Sequence, residues 1–422
     1  MSALVPYKSI RRGIELGFYR GEALVYDGTE PVAIDAQAGK GKFTRFLGAN
    51  IVGDGSAHFT KVITDPKDGE LAWTTWKILE RQGYKVIFLN PDQLYGYPSE
   101  SYNPMTPALE IAKEPRLHPI LGQVARDVAS NIVPIDPNPL YRWIGDGMRT
   151  AFGHYIQRCA LYPTKRWSCT MGGLWDFFGR PPQDIVDDLS VWAADARLQD
   201  SAGMSALIAG FTQSPNQWNA YSSVIMERLQ GYQRGSAGRL ITDKNSFDPA
   251  SMKNERTALF IIGTAKSETS RTFVGMMAAS VIDRFAESHG PLRALIIGEE
   301  WGQLYVGNFH QILTLYREAG INLLAVFQNA MAQIELRYSK ETARLWRKAV
   351  AHTIYRGLPD DEELKGIELR SGKTSVMVRG FNASIAQVAG SGDTLSEQSR
   401  PLLQVEDTRR LTGGETALLE SR

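Results

Sequence analysis

PVAIDAQAGKGKFT, Pro31 to Thr44, joins a short apolar run to a loop rich in glycine and lysine. A continuous apolar run bounded by turn residues reads as a strand buried on both faces. A small-residue loop between such a strand and the start of a helix is the setting a phosphate-binding loop requires. Ala36, Ala38, Gly39 and Gly41 let backbone N–H groups converge on phosphate oxygens, and Lys40 lies among them. Lys42 is placed to reach the outer phosphates of a nucleoside triphosphate as a point charge. Against the pattern G-x-x-x-x-G-K-[ST], Ala36 stands at the first glycine and Phe43 at the hydroxyl residue that ligates Mg2+. Thr44, one position on, is a candidate for the phosphates or the metal without being the same ligand. The competing reading is a Gly/Lys-rich turn that caps an ordinary helix.

Outward from this loop, similar apolar runs recur at Phe59–Asp65, Lys85–Pro91, Arg256–Ala265, Arg293–Glu300, Asn322–Asn329 and His352–Gly357. Helical periodicity follows several of them, at Gly69–Gly83, Glu268–His289, Gly307–Ala319 and Lys340–Val350. This is the punctuation of an α/β fold with a parallel sheet. Between about Pro104 and Phe247 the strand signal stops, and amphipathic helices broken by Pro and Gly clusters take over. The simplest organisation is one α/β core split by an all-helical insertion. The expected division is 1–105 for the first part of the core, 106–246 for the insertion and 247–422 for the rest of the core.

Two later stretches carry further chemistry. LIIGEEW, Leu295 to Trp301, sets Glu299 and Glu300 at the lip of a buried strand. In nucleotide hydrolases the first such carboxylate holds Mg2+ through water and the second polarises the attacking water. Taken alone, a pair of solvent-facing carboxylates at a strand end explains them better. VFQNAMAQ ends the next strand and offers Gln328 as a sensor of the γ-phosphate. Arg317, in YREAG near a helix end, is a candidate to reach a neighbouring subunit's nucleotide, or a charge that satisfies the helix dipole. Ser371-Gly372-Lys373-Thr374 looks like a second phosphate loop, but Ile367 stands where the first glycine belongs, so a turn into a late strand is the better reading.

The chain has 422 residues, about three times a common domain length, with 43% hydrophobic and 22% charged residues. That composition supports a large core and excludes wholesale disorder. Lys and Arg number 47 against 46 Asp and Glu, a net +1, so any contact with nucleic acid must be a local patch. Arg142, Trp143, Arg149 and Arg158 interleave cations with an aromatic in the helical stretch, although core packing accounts for Trp143 more simply. Cys159 and Cys169 are too few for a disulfide framework and favour a reducing cytosol. No apolar run approaches the ~18 residues of a membrane span, and the N-terminus has no signal-peptide character. The six histidines show no i,i+4 pair, which speaks against a histidine metal site.

Taken in order, these pieces resemble the type IV secretion coupling proteins, the TraG/TraD-like ATPases of conjugative DNA transfer. IELGFYRGEALVYDG precedes the loop. DPKDGEL (Asp65 to Leu71) resembles the family's Asp-Pro-Lys-Gly-Glu segment with one residue inserted. KVIFLNP, SYNPM, SFDPASM, LFIIG, LIIGEEW, the REAG and VFQNAMAQ pair, RSGKTSV and RPLLQVED follow, so the likeness runs from about Ile14 to Leu419.

The resemblance implies a RecA-like P-loop nucleotide-binding core with an inserted all-α domain, and ATP and Mg2+ as cofactors. It makes Lys42 the Walker A lysine, Glu299 the Walker B acid that holds Mg2+ through water, Glu300 the catalytic glutamate and Gln328 the sensor. Arg317 matches an arginine that resembles the family's trans-acting finger. It implies a homo-hexamer with partners among single-stranded DNA or a relaxase–DNA complex, secretion-channel components and secreted protein substrates. The expected location is cytoplasmic, peripheral at the inner membrane through partners. The family's N-terminal membrane segment is missing: the chain is a membrane-free member, or its anchor is a separate subunit, or it was trimmed, and Met1 and Ser2 favour a natural chain. The second reading is a nucleotide-binding adapter that recruits secreted proteins with little or no hydrolysis, suggested by Phe43 and by Glu299 in place of Asp.

Overall fold

The computed structural model describes residues 5–6, 12–20, 22–37, 39, 41–134, 136, 138, 140–164, 166–356, 361–381, 393–406 and 417–420. Three short strands, β1 (Val5–Pro6), β2 (Ile14–Tyr19) and β3 (Glu22–Tyr26), pair antiparallel in a small sheet that the apolar pattern does not foretell. The main sheet consists of β4 (Val32–Ala36), β5 (Thr60–Asp65), β6 (Lys85–Leu89), β7 (Thr257–Ile262), β8 (Ala294–Gly298), β9 (Ile321–Phe327) and β10 (His352–Arg356). A separate ribbon pairs β11 (Lys373–Phe381) with β12 (Asp393–Pro401), so Lys373 and Thr374 do open a late strand. β13 (Ala417–Glu420) adds an antiparallel edge to β10.

The main sheet runs β13-β10-β4-β9-β8-β5-β7-β6 and is parallel throughout from β10 to β6. Its strands lack a polar face because both faces are covered. Val32, Ile34, Ile63, Phe260, Ile297 and Val326 face one apolar layer, and Ala33, Val62, Ile261, Ile296 and Ala325 face the other. The first layer is closed by α1 (Gly48–Val52), which continues a π-helical turn over Phe43–Leu47, and by α2 (Glu70–Arg81).

Between β6 and β7 lie α3 (Thr106–Lys113), α4 (His118–Ile132), α5 (Arg142–Leu161), α6 (Met171–Phe178), α7 (Pro182–Ala193), α8 (Ser201–Gln213), α9 (Pro215–Leu229) and α10 (Ala237–Thr242). No strand interrupts them among the described residues. The chain enters and leaves this segment side by side. The Tyr102 N–H donates to Ile241 O (2.9 Å), and the Ser101 and Asn103 N–H groups donate to Ser246 Oγ and Asn245 Oδ1 (2.7 and 2.6 Å). Adjacent ends are what allow one unit to sit inside another without breaking the host sheet. The other apolar layer runs on from the sheet into these helices through Phe152, Tyr155, Phe177 and Trp192. Trp143, expected in the core, is instead 41% exposed on α5 and meets Tyr221 edge-on. Both cysteines are buried thiols.

The chain closes with α11 (Glu268–Ala286), α12 (Phe309–Thr314), α13 (Ala330–Arg337), α14 (Lys340–Ala349) and α15 (Asp361–Arg370). The periodic stretch 307–319 is helical only over α12, and turns fill the rest, so Arg317 lies beyond the helix rather than in its last turn.

Lys61 on β5 is fully buried, an unusual place for a cation. Its Nζ donates to Ile51 O (2.6 Å), Asn50 O (3.2 Å) and Ser56 Oγ (2.7 Å), closing the otherwise unsatisfied end of α1. Burial first, then the Arg256 charge, pushes its pKa down to about 7. Because the unfolded lysine titrates near 10.5, the cost of the buried charge is present below about pH 7 and fades as the pH rises towards 10.5. Lys61→Met removes three hydrogen bonds and is expected to cost about 1–3 kcal/mol at pH 7.5. Wild type should gain stability over this variant between pH 7.5 and 9.5. Urea unfolding at both pH values measures it, and a pH-independent difference would contradict the assignment.

Candidate nucleotide-binding site

The carboxyl ends of β4, β9, β8 and β5 form one lip, and the register brings Asp35 level with Phe327, and Gly298 level with Ala325 and Thr64. Residues that follow these positions therefore converge, although they lie up to about 290 residues apart in sequence. Ligands in open α/β sheets bind at this edge, where strand order reverses.

Ala36 ends β4 with its methyl group buried in the apolar layer, so it takes the first glycine's place without intruding on the loop. Gly39 and Gly41 hold φ of +73° and +74°, the left-handed region that glycine occupies without strain. An added Cβ at Gly39 would meet open space, so its requirement is conformational alone. Ala38 and Lys40 lie outside the described residues. Phe43 packs its ring against the apolar layer beside β4. Thr44 is exposed, and its hydroxyl donates to Gly41 O (3.3 Å), closing the turn of the loop. Lys42 opens the helix and is 7% exposed; its Nζ donates to Ala36 O (3.3 Å) and lies 3.4 Å from Glu300 Oε1.

Glu299 and Glu300 are 5% and 1% exposed, which overturns the picture of solvent-facing carboxylates. Glu300 sits at φ +48°, a left-handed position that a non-glycine residue keeps only where its surroundings hold it. Its Oε1 meets Lys67 Nζ at 2.5 Å and Gln328 Nε2 at 3.2 Å, and its Oε2 accepts from Gln328 Nε2 (2.9 Å) and Gln303 Nε2 (2.8 Å). Burial pushes the Glu300 carboxyl up, but Lys67, Lys42 and Gln328 together outweigh it and hold the group below its ordinary range. It is therefore ionised at neutral pH.

Glu299 differs. Burial raises it and the Glu300 charge adds to the effect, while Lys67, 3.4 Å from Oε1, opposes. Its Oε2 is buried with no hydrogen-bond partner among the described residues. At the end of β5, Asp65 is also raised, well above the carboxylate range, by burial and by Glu299's charge. One Asp65 oxygen accepts from the Ala72 N–H (2.9 Å), and the other, Oδ1, has no partner among the described residues. Two adjacent acids with unpartnered buried oxygens suit a hydrated cation.

Gln328 follows β9, and its backbone N–H donates to Gln333 Oε1 (3.0 Å). Arg317 is not brought to this lip. It is exposed in the turn before β9, at the amino end of the strands, close enough to assist Tyr26 in holding the Glu30 carboxyl down. The seven residues of β9 span about 23 Å. No arginine side chain bridges that distance, so Arg317 cannot serve its own chain's lip.

Lys67, Gln303 and Asp65 were not singled out by sequence reasoning. Asp65 and Lys67 lie inside DPKDGEL, whose kinship was legible but whose place beside β8 was not. Gln303 stands three residues after Glu300 and has no signature of its own.

A RecA-like parallel sheet with a lysine loop, two lip acids and a lip glutamine defines a P-loop nucleotide-binding class of protein. Residues 178–421 match the family described as type IV secretory system conjugative DNA transfer, and the chain belongs to that family. Among solved structures the chain is similar to the bacterial conjugative coupling protein TrwBdeltaN70 in its unbound monoclinic form. That likeness has 13% identity and a TM-score of 0.67, over 98% of this chain and 86% of that one. It is also similar to plasmid coupling protein TrwB in complex with ADP and Mg2+, at 14% identity and TM-score 0.66 over 98% and 90%. The same protein with the ATP analogue ADPNP gives 14% and 0.66 over the same shares. Identities this low establish the fold. Comparison with curated proteins finds no match. No helix among the described residues is long and apolar enough to cross a membrane.

Proposed function

We propose that this chain is an ATP-driven coupling motor that recruits DNA, or a relaxase–DNA complex, and delivers it with secreted proteins to a type IV secretion channel. The observation that carries the reading is the convergence of Lys42, Glu300 and Gln328 from three separate strand ends. The membership in a conjugative DNA transfer family supplies the cargo class. TrwB, of the same fold, has been seen with ADP and Mg2+.

In this mechanism loop 36–44 cradles the phosphates with its N–H groups, and Lys42 leaves Glu300 to bind the β/γ oxygens. Glu300, freed of Lys42 and ionised, accepts a hydrogen bond from the attacking water and takes its proton as the γ-phosphorus–oxygen bond to ADP breaks. Mg2+ would neutralise charge on the β- and γ-oxygens. Glu299 and Asp65, each with a buried carboxylate oxygen that has no partner among the described residues, would hold it through water. Gln328 keeps Glu300 oriented and senses the γ-phosphate. The division 1–105, 106–246 and 247–422, a homo-hexameric ring, and a place on the cytoplasmic side joined to the inner membrane by partners complete the reading. The second reading, an adapter that hydrolyses little or nothing, is separated from this one by turnover of the Glu300→Gln variant, since Glu300 is held charged at the lip by Lys67, Lys42 and Gln328.

Lys42→Ala is expected to abolish saturable binding of ATP, because no other loop cation is positioned to take its place among the described residues. Titration with a fluorescent ATP analogue in Mg2+ measures it. Binding like wild type would remove the loop assignment.

A further inference from the structure

Lys67 is the one cation at the lip that the lysine loop does not supply. It stands in the turn after β5, where Asp68 and Gly69 hold left-handed φ of +57° and +75°. The turn is pinned to the chain that leaves β7. The Asp68 N–H donates to Gly263 O (2.9 Å), and Asp68 Oδ1 accepts from the Ala265 N–H (3.2 Å). With its backbone held, Lys67 carries its ammonium to two acids on a flexible stem, 2.5 Å from Glu300 Oε1 and 3.4 Å from Glu299 Oε1. Both acids are buried, whereas the Lys67 side chain is 36% exposed. Lys42 is buried and tied to Ala36 O as well, but the Lys67 ammonium has no partner other than these acids among the described residues. Lys67 therefore reaches in from solvent, and rotation of its side chain alone withdraws it. Its cover of the acids is also partial. Glu299 Oε2 and Asp65 Oδ1 stay buried without a partner among the described residues.

We propose that Lys67 is a built-in lock on the lip, a cation that competes with the divalent metal for Glu299 and holds Glu300 until that metal arrives. An ammonium and a divalent ion on one carboxylate repel each other, more strongly in a buried site than in water. The divalent ion, with its own water shell, also serves the two acid oxygens that Lys67 leaves bare. Lys67 then swings to solvent and lets go of both acids. Glu300 keeps Gln328 and Gln303 as donors to Oε2 and gains room at Oε1 for the attacking water. Lys67 is in this account a positioning residue that acts through Glu299 and Glu300, and nucleotide that enters without metal leaves Glu300 locked. A pair kept for stability alone would be closed to water, with its carboxylate oxygens satisfied, and this one is neither. The inference rests on the nucleotide and metal reading of the lip proposed above, and adds the device that keeps the site closed before loading.

The test uses the full chain free of nucleotide and Mn2+ alone as the probe, with binding read from loss of the free-ion EPR signal and ATP turnover measured alongside. Lys67→Gln keeps a donor for the acids but no charge, and should bind Mn2+ about tenfold tighter than wild type, the scale of a group that adjoins metal ligands. Lys67→Arg keeps the charge and should bind Mn2+ no tighter than wild type. Lys266→Gln removes an equal charge from an exposed position after β7 and should leave the affinity unchanged. In turnover, Lys67→Gln should reach its half-maximal rate at a lower metal concentration. If Lys67→Gln is too unstable to titrate, its melting temperature with and without saturating Mn2+ decides: a larger rise than in wild type supports the lock, and an equal rise overturns it. Equal Mn2+ affinity in Lys67→Gln and wild type, or a tightening matched by Lys67→Arg or Lys266→Gln, also overturns it. With a wild type that hydrolyses ATP, that result leaves the motor reading standing. Tighter Mn2+ binding by Lys67→Gln in a protein that hydrolyses nothing removes the motor reading and leaves the lock.

Discussion

Arg317→Ala is expected to lower turnover of the assembled protein by about 10³–10⁵-fold, the range arginine fingers supply in general, with ATP affinity of the isolated chain nearly unchanged. The position of the residue makes the expectation sharp. It stands at the amino end of β9, a strand's length from Glu300 in the same chain, so it can act on a nucleotide only in a neighbour. Mixing Arg317→Ala with Lys42→Ala decides the matter. At one kind of mixed interface, the Arg317 of the lysine variant faces the intact loop of the arginine variant, and partial turnover should reappear though neither protein works alone. A mixture that stays inactive while both proteins co-assemble would reduce Arg317 to a surface charge near Glu30 and end the shared-site mechanism.

Glu300→Gln should leave ATP binding intact or slightly tighter while hydrolysis falls by about 10²-fold or more, the scale of losing a group that activates the nucleophile. The tightening has a local cause. Lys42 lies 3.4 Å from Glu300, and neutralising the carboxylate frees the lysine for phosphate. Parallel loss of binding and turnover would mark Glu300 as a structural partner of Lys42 and Lys67. Titration with ADPNP and a steady-state phosphate-release assay separate the two outcomes.

The seven parallel strands were legible because each is buried on both faces and so carries a nearly continuous apolar run; Thr257–Ile262 and Ile321–Phe327 could hardly read otherwise. The small sheet over Ile14–Tyr19 and Glu22–Tyr26 was not, since a half-covered ribbon with a bulge between Glu15 and Gly17 blurs its alternation. The lysine loop and the acid pair were legible as motifs. Their burial and mutual contact were not.

The sequence by itself determined the elements that depend on local patterning: a doubly covered parallel sheet, a helical interruption between β6 and β7, and a small-residue loop before a helix. Only the tertiary structure decided which chain-distant groups share a field. It set Lys67 between Glu299 and Glu300, paired Glu299 with Asp65, turned Arg149 inward and carried Arg317 to the far edge. The physical reason is that apolar periodicity reports on which face of an element is buried, whereas strand order and register, fixed by packing across the whole core, choose which strand ends become neighbours. The chemistry proposed for this lip depends on the neighbours, and Lys67 acquires its place only when β5 pairs with β8.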